Sequence, residues 1–214
     1  MEIIALNHGR KHPIYAQIVQ DIALTLFKQK KYEESEKLFK ESLQILIEKN
    51  DSPQKILTTR QNLAVALDCQ KKYIESEPLF KESISELKAN YQDKQSKEVR
   101  QKIVAILNSL CGNLGNQKKF DDAEPYFKEL QALTIEVNGE ESTEVANVTR
   151  NLAACLLYLQ KHDEALVEFS KSLVIYEKNL GDDHDTTLDV RNNLEDLRNY
   201  IYQRDKSDCC CVIC

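Results

Sequence analysis

The stretch KKYEESEKLFKESL, residues 30–43, is the strongest indication of the fold because three later segments repeat its pattern. These are KKYIESEPLFKESI at 71–84, KKFDDAEPYFKELQ at 118–131 and KHDEALVEFSKSL at 161–173. Each contains a small residue, a Phe four positions later and a Ser or Leu three positions after that. The triplets are Ser35-Phe39-Ser42, Ser76-Phe80-Ser83, Ala123-Phe127-Leu130 and Ala165-Phe169-Ser172. Spacings of four and three place all three side chains on one helical face.

A second pattern lies twelve residues before each small residue and consists of an apolar residue followed by a small one. Its four copies are Ile22-Ala23, Leu63-Ala64, Leu110-Cys111 and Leu152-Ala153. Each repeat is therefore predicted to be a hairpin of two helices, A and B, joined by a tight polar turn. One hairpin cannot bury its apolar face alone, so several must stack to make a continuous core.

Nine helices are predicted from these patterns. They span residues 14–30, 32–49, 54–71, 73–91, 97–117, 120–137, 143–160, 162–179 and 185–203. The ninth has an apolar stripe and a polar opposite face but no B partner, as expected of a terminal cap. The predicted domains are a partial joint at 1–13, repeats at about 14–53, 54–96, 97–142 and 143–184, the cap at 185–203, and a flexible tail at 204–214.

Turn and cap residues support these boundaries. Gly139 and Gly181 follow B helices, where a left-handed residue ends a helix at low cost. Ser142 and Asp185 are predicted N-caps. Gly112 and Gly115 lie inside the third A helix, and two glycines there weaken it by roughly 1 kcal/mol each relative to Ala.

The composition favours a helical, soluble, reduced protein. Charged residues make up 30% of the chain, and only 5 Gly and 4 Pro are present. A net charge of -6 argues against nucleic acid, which needs clustered Lys and Arg. No apolar run is long enough to cross a bilayer, and no secretory signal is recognisable. The internal cysteines Cys69, Cys111 and Cys155 are predicted to be small buried hydrophobes in a reducing compartment.

Three features of this sequence resemble the kinesin light chain-like branch of the tetratricopeptide repeats. They are the B-helix starts SEPLF (76–80) and AEPYF (123–127), the joints at 9–16, 139–146 and 181–188, and the N-L-A motifs at 62–64 and 151–153. The joint prolines of that family are absent at Thr143 and Asp185. The resemblance implies an all-α fold, a right-handed superhelix of about four helical hairpins plus a C-terminal capping helix. A HEAT-type solenoid is the alternative, and the small-then-Phe register disfavours it.

In such a superhelix the A helices line a concave groove. The predicted groove residues are Gln61, Asn62, Asn108, Asn147, Arg150, Asn151, Tyr158, Asn192 and Asn193. An amide both donates and accepts hydrogen bonds, so a row of Asn side chains suits the backbone of an extended peptide. The family resemblance implies this role for Asn62 and Asn151. The alternative is that these are solvated polar residues on a helix face.

The last four residues, Cys211-Val212-Ile213-Cys214, fit the Cys-aliphatic-aliphatic-X signal for prenylation of Cys211. Resemblance to processed prenylated proteins implies loss of 212–214 and methylation of Cys211. One lipid chain anchors weakly, so Cys209 and Cys210 are candidate palmitoylation sites. A metal site and an incidental tail are the alternatives. Adjacent cysteines lack the two-residue gaps of most zinc sites.

No phosphate-binding loop, nucleophile elbow or H-E-x-x-H motif occurs, so the sequence predicts a protein that is not an enzyme and has no cofactor or metal. The expected function is a monomeric adaptor that binds a protein or peptide in its groove and is tethered by lipid to a cytoplasmic membrane face. The alternative is a soluble assembly or co-chaperone module without lipid.

Overall fold

The computed structural model describes residues 12–90 and 96–211. Within these ranges all regular secondary structure is helical. The helices are α1 Pro13–Lys28, α2 Tyr32–Glu48, α3 Pro53–Cys69, α4 Tyr73–Asn90, α5 Lys97–Asn116, α6 Phe120–Asn138, α7 Thr143–Tyr158, α8 His162–Leu180 and α9 Asp185–Cys211. Each corresponds to a predicted helix, and the predicted all-α fold is confirmed.

The chain divides into two compact units, Met1–Gln117 and Lys118–Cys214. In the first unit, α1 to α4 each pack against the next helix in the chain, and in the second unit α6 to α8 do the same. The odd-numbered helices are A helices and the even-numbered ones are B helices. The division falls at the turn between α5 and α6, inside the third predicted repeat.

The small and aromatic residues of the repeat signature form the core of both units. Phe39, Phe80, Phe127 and Phe169 are at most 8% exposed, and the small residues four positions before them are fully buried. Ser35 and Ser42 show why small residues are needed on α2. Their hydroxyls donate to the carbonyls of Ala23 and Ala16 on α1, both at 2.8 Å. This contact requires the two helix backbones to lie close together.

Each hairpin turn contains one residue with positive φ, namely Lys30, Lys71, Lys118 or Gln160, with φ between 59° and 62°. A left-handed residue after the helix lets the next N–H group reach back to a carbonyl of the last turn. Thus Lys31 N donates to Leu26 O at 3.0 Å, and Lys161 N donates to Leu156 O at 2.9 Å. The predicted tight polar turn therefore has one backbone geometry throughout.

The joints after α6 and α8 use glycine differently from the prediction. Gly139 and Gly181 have φ of 87° and 90° but ψ of 152° and 166°. This is an extended region open almost only to glycine, and it differs from the predicted left-handed helical cap. The chain therefore leaves each B helix in an extended direction and turns into the next A helix.

One predicted N-cap is confirmed and one is wrong. The hydroxyl of Ser142 accepts from Val145 N at 3.3 Å. Asp185 does not cap α9, because it is the first helical residue. The preceding His184 caps it instead, with Nδ1 accepting from Thr186 N at 3.2 Å. His12 does the same for Ile14 N at the start of α1.

Two further expectations are corrected. Cys111 and Cys155 are buried, but Cys69 is exposed, since it is the last residue of α3 and lies away from the core. The last helix was predicted to end near residue 203, whereas α9 continues to Cys211. No Gly or Pro interrupts residues 182–211, and Arg204 forms an ion pair with Asp163 of α8 at 3.6 Å.

Candidate functional site

A cleft of about 600 Å³ lies in the C-terminal unit between the A helices α7 and α9. Five of the predicted groove residues line it, namely Arg150, Asn151, Tyr158, Asn192 and Asn193. The repeat accounts for this arrangement, because Arg150 and Asn192 are 42 residues apart, as are Asn151 and Asn193. Equivalent positions on successive A helices therefore face the same cleft.

The polar part of the cleft carries charges that are not neutralised internally. Arg150 is half-buried and forms no ion pair with any described residue. Asp189 on α9 is exposed, and it likewise has no partner among the residues described. A guanidinium offers five N–H groups in a rigid fork that matches a carboxylate. Arg150 is thus available to an external acceptor.

The opposite end of the cleft is apolar. Ala154 and Leu157 of α7 lie there with Phe169 of α8 and the ring of Tyr158. Tyr158 is 67% exposed, yet it is held in place by stacking on Phe120, with ring centroids 4.2 Å apart and planes 4° from parallel. Phe120 covers one face of the Tyr158 ring. The rest of the ring is exposed but is held in a fixed orientation by this stacking.

The same pairing recurs one repeat later. Tyr200, 42 residues after Tyr158, lies with its ring centroid 4.7 Å from that of His162. Phe120 and His162 are the first residues of α6 and α8. In this unit each B helix therefore begins beside an aromatic residue of the following A helix.

The other predicted groove residues lie outside this cleft. The side-chain carbonyl of Asn147 accepts from the hydroxyl of Tyr176 at 2.7 Å, so that amide is partly used within the protein. Burial raises the pKa of Tyr176, which keeps the hydroxyl protonated as a donor. Gln61 and Asn62 are half-buried in the N-terminal unit, and Asn108 is exposed there. Gln61 Nε2 is buried without a hydrogen-bond partner in the described structure.

Besides Ala154, four lining residues were not among the predicted groove residues listed above. They are Asp189, Leu157, Gln160 and Phe169. Asp189 was detectable, because it lies 42 residues after Asn147 and so occupies the equivalent A-helix position. Phe169 was predicted only as a core residue. It is 3% exposed, which agrees with that role, and it also contributes to the cleft lining.

A further depression of about 520 Å³ lies between the B helices α6 and α8. Its apolar lining includes Ile135, Val145 and Ile175, with Lys171 and Lys178 beside them. Both lysines are already paired, with Glu168 at 2.7 Å and with Glu141 respectively. This surface has no counterpart in the sequence predictions.

The cysteines of the predicted lipidation motif are only partly within the described chain. Helix α9 includes Cys209, Cys210 and Cys211 in its backbone, and 212–214 lie outside the described residues. Among the described residues, no group of three or more His, Cys, Asp or Glu side chains is placed to hold a metal ion. None of the described helices combines the length and apolarity needed to cross a membrane.

Comparison with protein families gives one match, to a model described as Tetratricopeptide repeat, over residues 15–85, 102–167 and 144–204. Comparison with curated proteins gives no match.

Similar solved structures show the same fold at low identity. BtubC (BKLC) from P. vanneervenii has a TM-score of 0.68 and 19% identity, covering 98% of this chain and 82% of its own. The putative kinesin light chain repeats of Podosopora anserina have a TM-score of 0.70 and 16% identity, covering 92% of both chains. RapI, solved in its apo form, has a TM-score of 0.71 and 15% identity, covering 88% of this chain and 64% of its own. The predicted similarity to kinesin light chain-like repeats is confirmed for the fold.

Proposed function

Since the chain belongs to the tetratricopeptide repeat family, we propose that it is a protein-protein interaction scaffold that binds a peptide segment in the cleft between α7 and α9. The observation that carries this proposal is that Arg150, which forms no ion pair with any described residue, lines the same cleft as apolar side chains and the ordered ring of Tyr158. Binding sites combine an apolar surface with a few well-placed polar groups. The fold alone does not assign a function, so the proposal rests on the site.

The polar groups of the cleft suit an extended peptide. Asn151 and Asn193 project from equivalent positions on two A helices, and each amide can donate to a carbonyl and accept from an N–H group. Arg150 then takes a carboxylate of the ligand. The ordered ring of Tyr158 takes an apolar side chain, because a rigid aromatic surface binds with little loss of conformational entropy.

Panning of a displayed peptide library against the full chain tests this proposal. The selected peptides are expected to bind the double variant Asn151→Ala, Asn193→Ala at least tenfold more weakly, as measured by titration calorimetry. Asn199→Ala is the matched control, because Asn199 is an exposed amide of α9 outside the cleft lining. Equal affinity for the double variant and the control would place the binding surface elsewhere.

The second part of the proposal is a lipid tether. The sequence Cys211-Val212-Ile213-Cys214 supports prenylation of Cys211, with Cys209 and Cys210 as palmitoylation sites that supply the second signal. Such a tether would hold the scaffold at the cytoplasmic face of a membrane. The alternative function is a soluble assembly or co-chaperone module that uses the same cleft without lipid.

Isoprenoid labelling in eukaryotic cells distinguishes the lipid-tethered scaffold from the soluble module. Radiolabelled isoprenoid is expected to enter the wild-type chain and Cys209→Ser but not Cys211→Ser. Absence of label from the wild-type chain, or equal label in Cys211→Ser, would favour the soluble module.

A further inference from the structure

Two polar residues at the depression between α6 and α8 occupy positions that are apolar or aromatic in every other repeat. Gln131 of α6 lies eight residues after the small residue of its repeat, and Glu168 of α8 lies three residues after its own. Their equivalents in the other three repeats are Leu43, Ile84 and Leu173 for Gln131, and Leu38, Leu79 and Tyr126 for Glu168. The core of the repeat therefore does not require a polar group at either position.

Gln131 joins Glu168 to a third polar residue, Thr149 of α7. Gln131 Nε2 donates to Thr149 Oγ1 at 2.9 Å and to Glu168 Oε2 at 2.8 Å. The other carboxylate oxygen of Glu168 accepts from Lys171 at 2.7 Å. Because the nitrogen makes both bonds of the Gln131 amide, its Oε1 atom has no hydrogen-bond donor among the described residues.

The hydroxyl of Thr149 also has an unused hydrogen-bonding group. Elsewhere in the described helices, a Thr hydroxyl donates to the carbonyl four residues earlier, at 2.6 to 2.9 Å, in Thr25, Thr58, Thr59 and Thr134. Thr149 makes no such bond within the described chain, and its oxygen only accepts from Gln131. Thr149 is 1% exposed and lines the depression. Its O–H group is thus a buried donor without an acceptor, and such a group calls for a partner.

The rest of the lining is apolar or already ion-paired. The apolar lining residues are Ile135, Val145, Val174 and Ile175, and the charged ones are Glu140, Glu141, Lys171 and Lys178. Lys171 pairs with Glu168 and Lys178 pairs with Glu141, so neither lysine is left to attract an anion. An apolar cavity with a few converging polar groups is the usual form of a small-molecule site.

We propose that the depression between α6 and α8 binds a small neutral aliphatic molecule that carries a primary amide. The ligand's carbonyl oxygen accepts from the Thr149 hydroxyl, and its N–H group donates to Gln131 Oε1. One amide can reach both groups, because Gln131 Nε2 and Thr149 Oγ1 are only 2.9 Å apart. The aliphatic chain lies against the apolar lining. This site is separate from the cleft between α7 and α9.

The same two groups disfavour other ligands. A carboxylate accepts hydrogen bonds but does not donate them, and it would lie close to the carboxylate of Glu168, which contacts Gln131. An ammonium group donates but does not accept. A backbone amide has chain on both sides, whereas the nearly complete burial of Thr149 leaves room only for a terminal head group.

Titration of the full chain with hexanamide, followed by two-dimensional NMR, tests the proposal. Hexanamide is expected to bind saturably and to shift the side-chain NH₂ signals of Gln131, which are identified by their absence from the Gln131→Leu spectrum. Hexanoate and hexylamine have the same chain with a charged head group, and both are expected to bind about tenfold more weakly. Equal binding of hexanoate and hexanamide would overturn the proposal, and so would no saturable binding of hexanamide.

Two variants remove one hydrogen bond each. Thr149→Val and Gln131→Leu are expected to weaken hexanamide about three- to tenfold. Both side chains suit these positions, because Val19 is the equivalent of Thr149 on α1 and Leu43 is the equivalent of Gln131 on α2. Unchanged affinity in both variants would refute the assigned hydrogen bonds.

A further pair of variants locates the binding. Val174→Trp, at a lining position that is 65% exposed, should block hexanamide, whereas Val167→Trp, 51% exposed on the same helix outside the lining, should not. Equal affinity of these two variants would place the ligand elsewhere.

A peptide probe distinguishes a small molecule from a protein segment. If acetyl-Ala-Gln-Ala-amide binds more tightly than hexanamide, the occupant is a protein segment and the proposal is wrong. The double variant Asn151→Ala, Asn193→Ala should bind hexanamide normally, so this site and the cleft between α7 and α9 are tested independently.

Discussion

Lys72 Nζ lies 2.8 Å from Glu36 Oε2, although the two residues are 36 positions apart. Glu36 lies on α2, and Lys72 lies in the turn between α3 and α4. Lys40 and Gln70 also donate to the Glu36 carboxylate, at 2.6 and 2.9 Å. Glu124 makes the same pair of ion pairs in the C-terminal unit, with Lys128 and Lys161, both at 2.7 Å. A buried carboxylate on a B helix therefore links that helix to the next hairpin.

Replacing Glu36 by Gln is expected to make stability less dependent on pH. Burial alone raises the pKa of the Glu36 carboxyl, but hydrogen bonds from Lys40, Lys72 and Gln70 outweigh it and lower that pKa from 4.5 to about 2. A lowered folded-state pKa contributes stability that is complete above the unfolded pKa and is lost as the pH falls towards the folded one. The shift corresponds to a contribution on the order of 3 kcal/mol near neutral pH.

Urea unfolding between pH 6 and pH 2 measures this contribution. The difference in free energy of unfolding between the wild type and Glu36→Gln should shrink as the pH falls below about 4.5. Glu34→Gln, at an exposed position of the same helix, removes one carboxylate in the same way and is the matched control. A Glu36→Gln difference that stays constant over the range would contradict the assignment.

Replacing Gly112 or Gly115 by Ala is expected to stabilise the N-terminal unit. Both lie within α5, and a Cβ atom built at either position has no neighbour within 4 Å. Alanine in a helix interior is favoured over glycine by about 1 kcal/mol, because glycine loses more backbone entropy on folding. Thermal unfolding of each single variant measures the gain. A lower melting temperature for either variant would show that the protein requires glycine at that position.

Gly139→Ala is expected to have the opposite effect. A Cβ at this position also has no neighbour within 4 Å, so space is not the constraint. Its φ of 87° with ψ of 152° is a conformation that L residues adopt at a cost of about 1–3 kcal/mol. Chemical denaturation of Gly139→Ala and of Gly115→Ala compares the free energy of unfolding at a strained and an unstrained backbone position. Equal effects of the two substitutions would refute the backbone explanation.

Thr187→Val should stabilise the C-terminal unit by about 1 kcal/mol, because it removes an unpaired buried hydroxyl without changing the side-chain shape. Thr187 is fully buried, and its Oγ1 has no hydrogen-bond partner in the described structure. The equivalent position on α7 is Val145, 3% exposed. Differential scanning calorimetry gives the change, and Thr186→Val, at the neighbouring half-buried position, is expected to have a smaller effect.

Asn113→Ala is expected to destabilise the N-terminal unit by about 2–3 kcal/mol, since it removes a buried amide that bonds to groups of both α3 and α4. The Asn113 amide is fully buried, and its Nδ2 lies 2.6 Å from Asp68 Oδ1, 2.7 Å from Ser76 Oγ and 3.1 Å from Tyr73 O, all within hydrogen-bond distance. Ala66 occupies the equivalent position on α3, so a small residue fits there. Equilibrium unfolding in urea measures the loss. A loss below about 0.5 kcal/mol would show that these bonds add little to stability.

The repeat period made most of the fold predictable, because the same residues recur at equivalent helical positions. The signature around Phe39 therefore identified the core of all four repeats. The cleft was less predictable. The repeat period predicts that Arg150 and Asn192 face the same groove. It does not predict the hydrogen bond between Asn147 and Tyr176 or the stacking of Tyr158 on Phe120. Those contacts join residues whose separation in the sequence follows no simple pattern.

The helical hairpins, their core residues and the family can be recognised without any structure. The reason is that the 3.6-residue periodicity and the small-then-Phe register depend on neighbouring residues and recur in each repeat. Which polar side chains remain available to a ligand depends instead on how the helices pack. Glu36 and Asn113 are as polar as Arg150 and Asn151, yet the first two are satisfied inside the protein and the last two face a cleft. Packing between helices makes that distinction, because it sets the partners and the solvent exposure of each side chain.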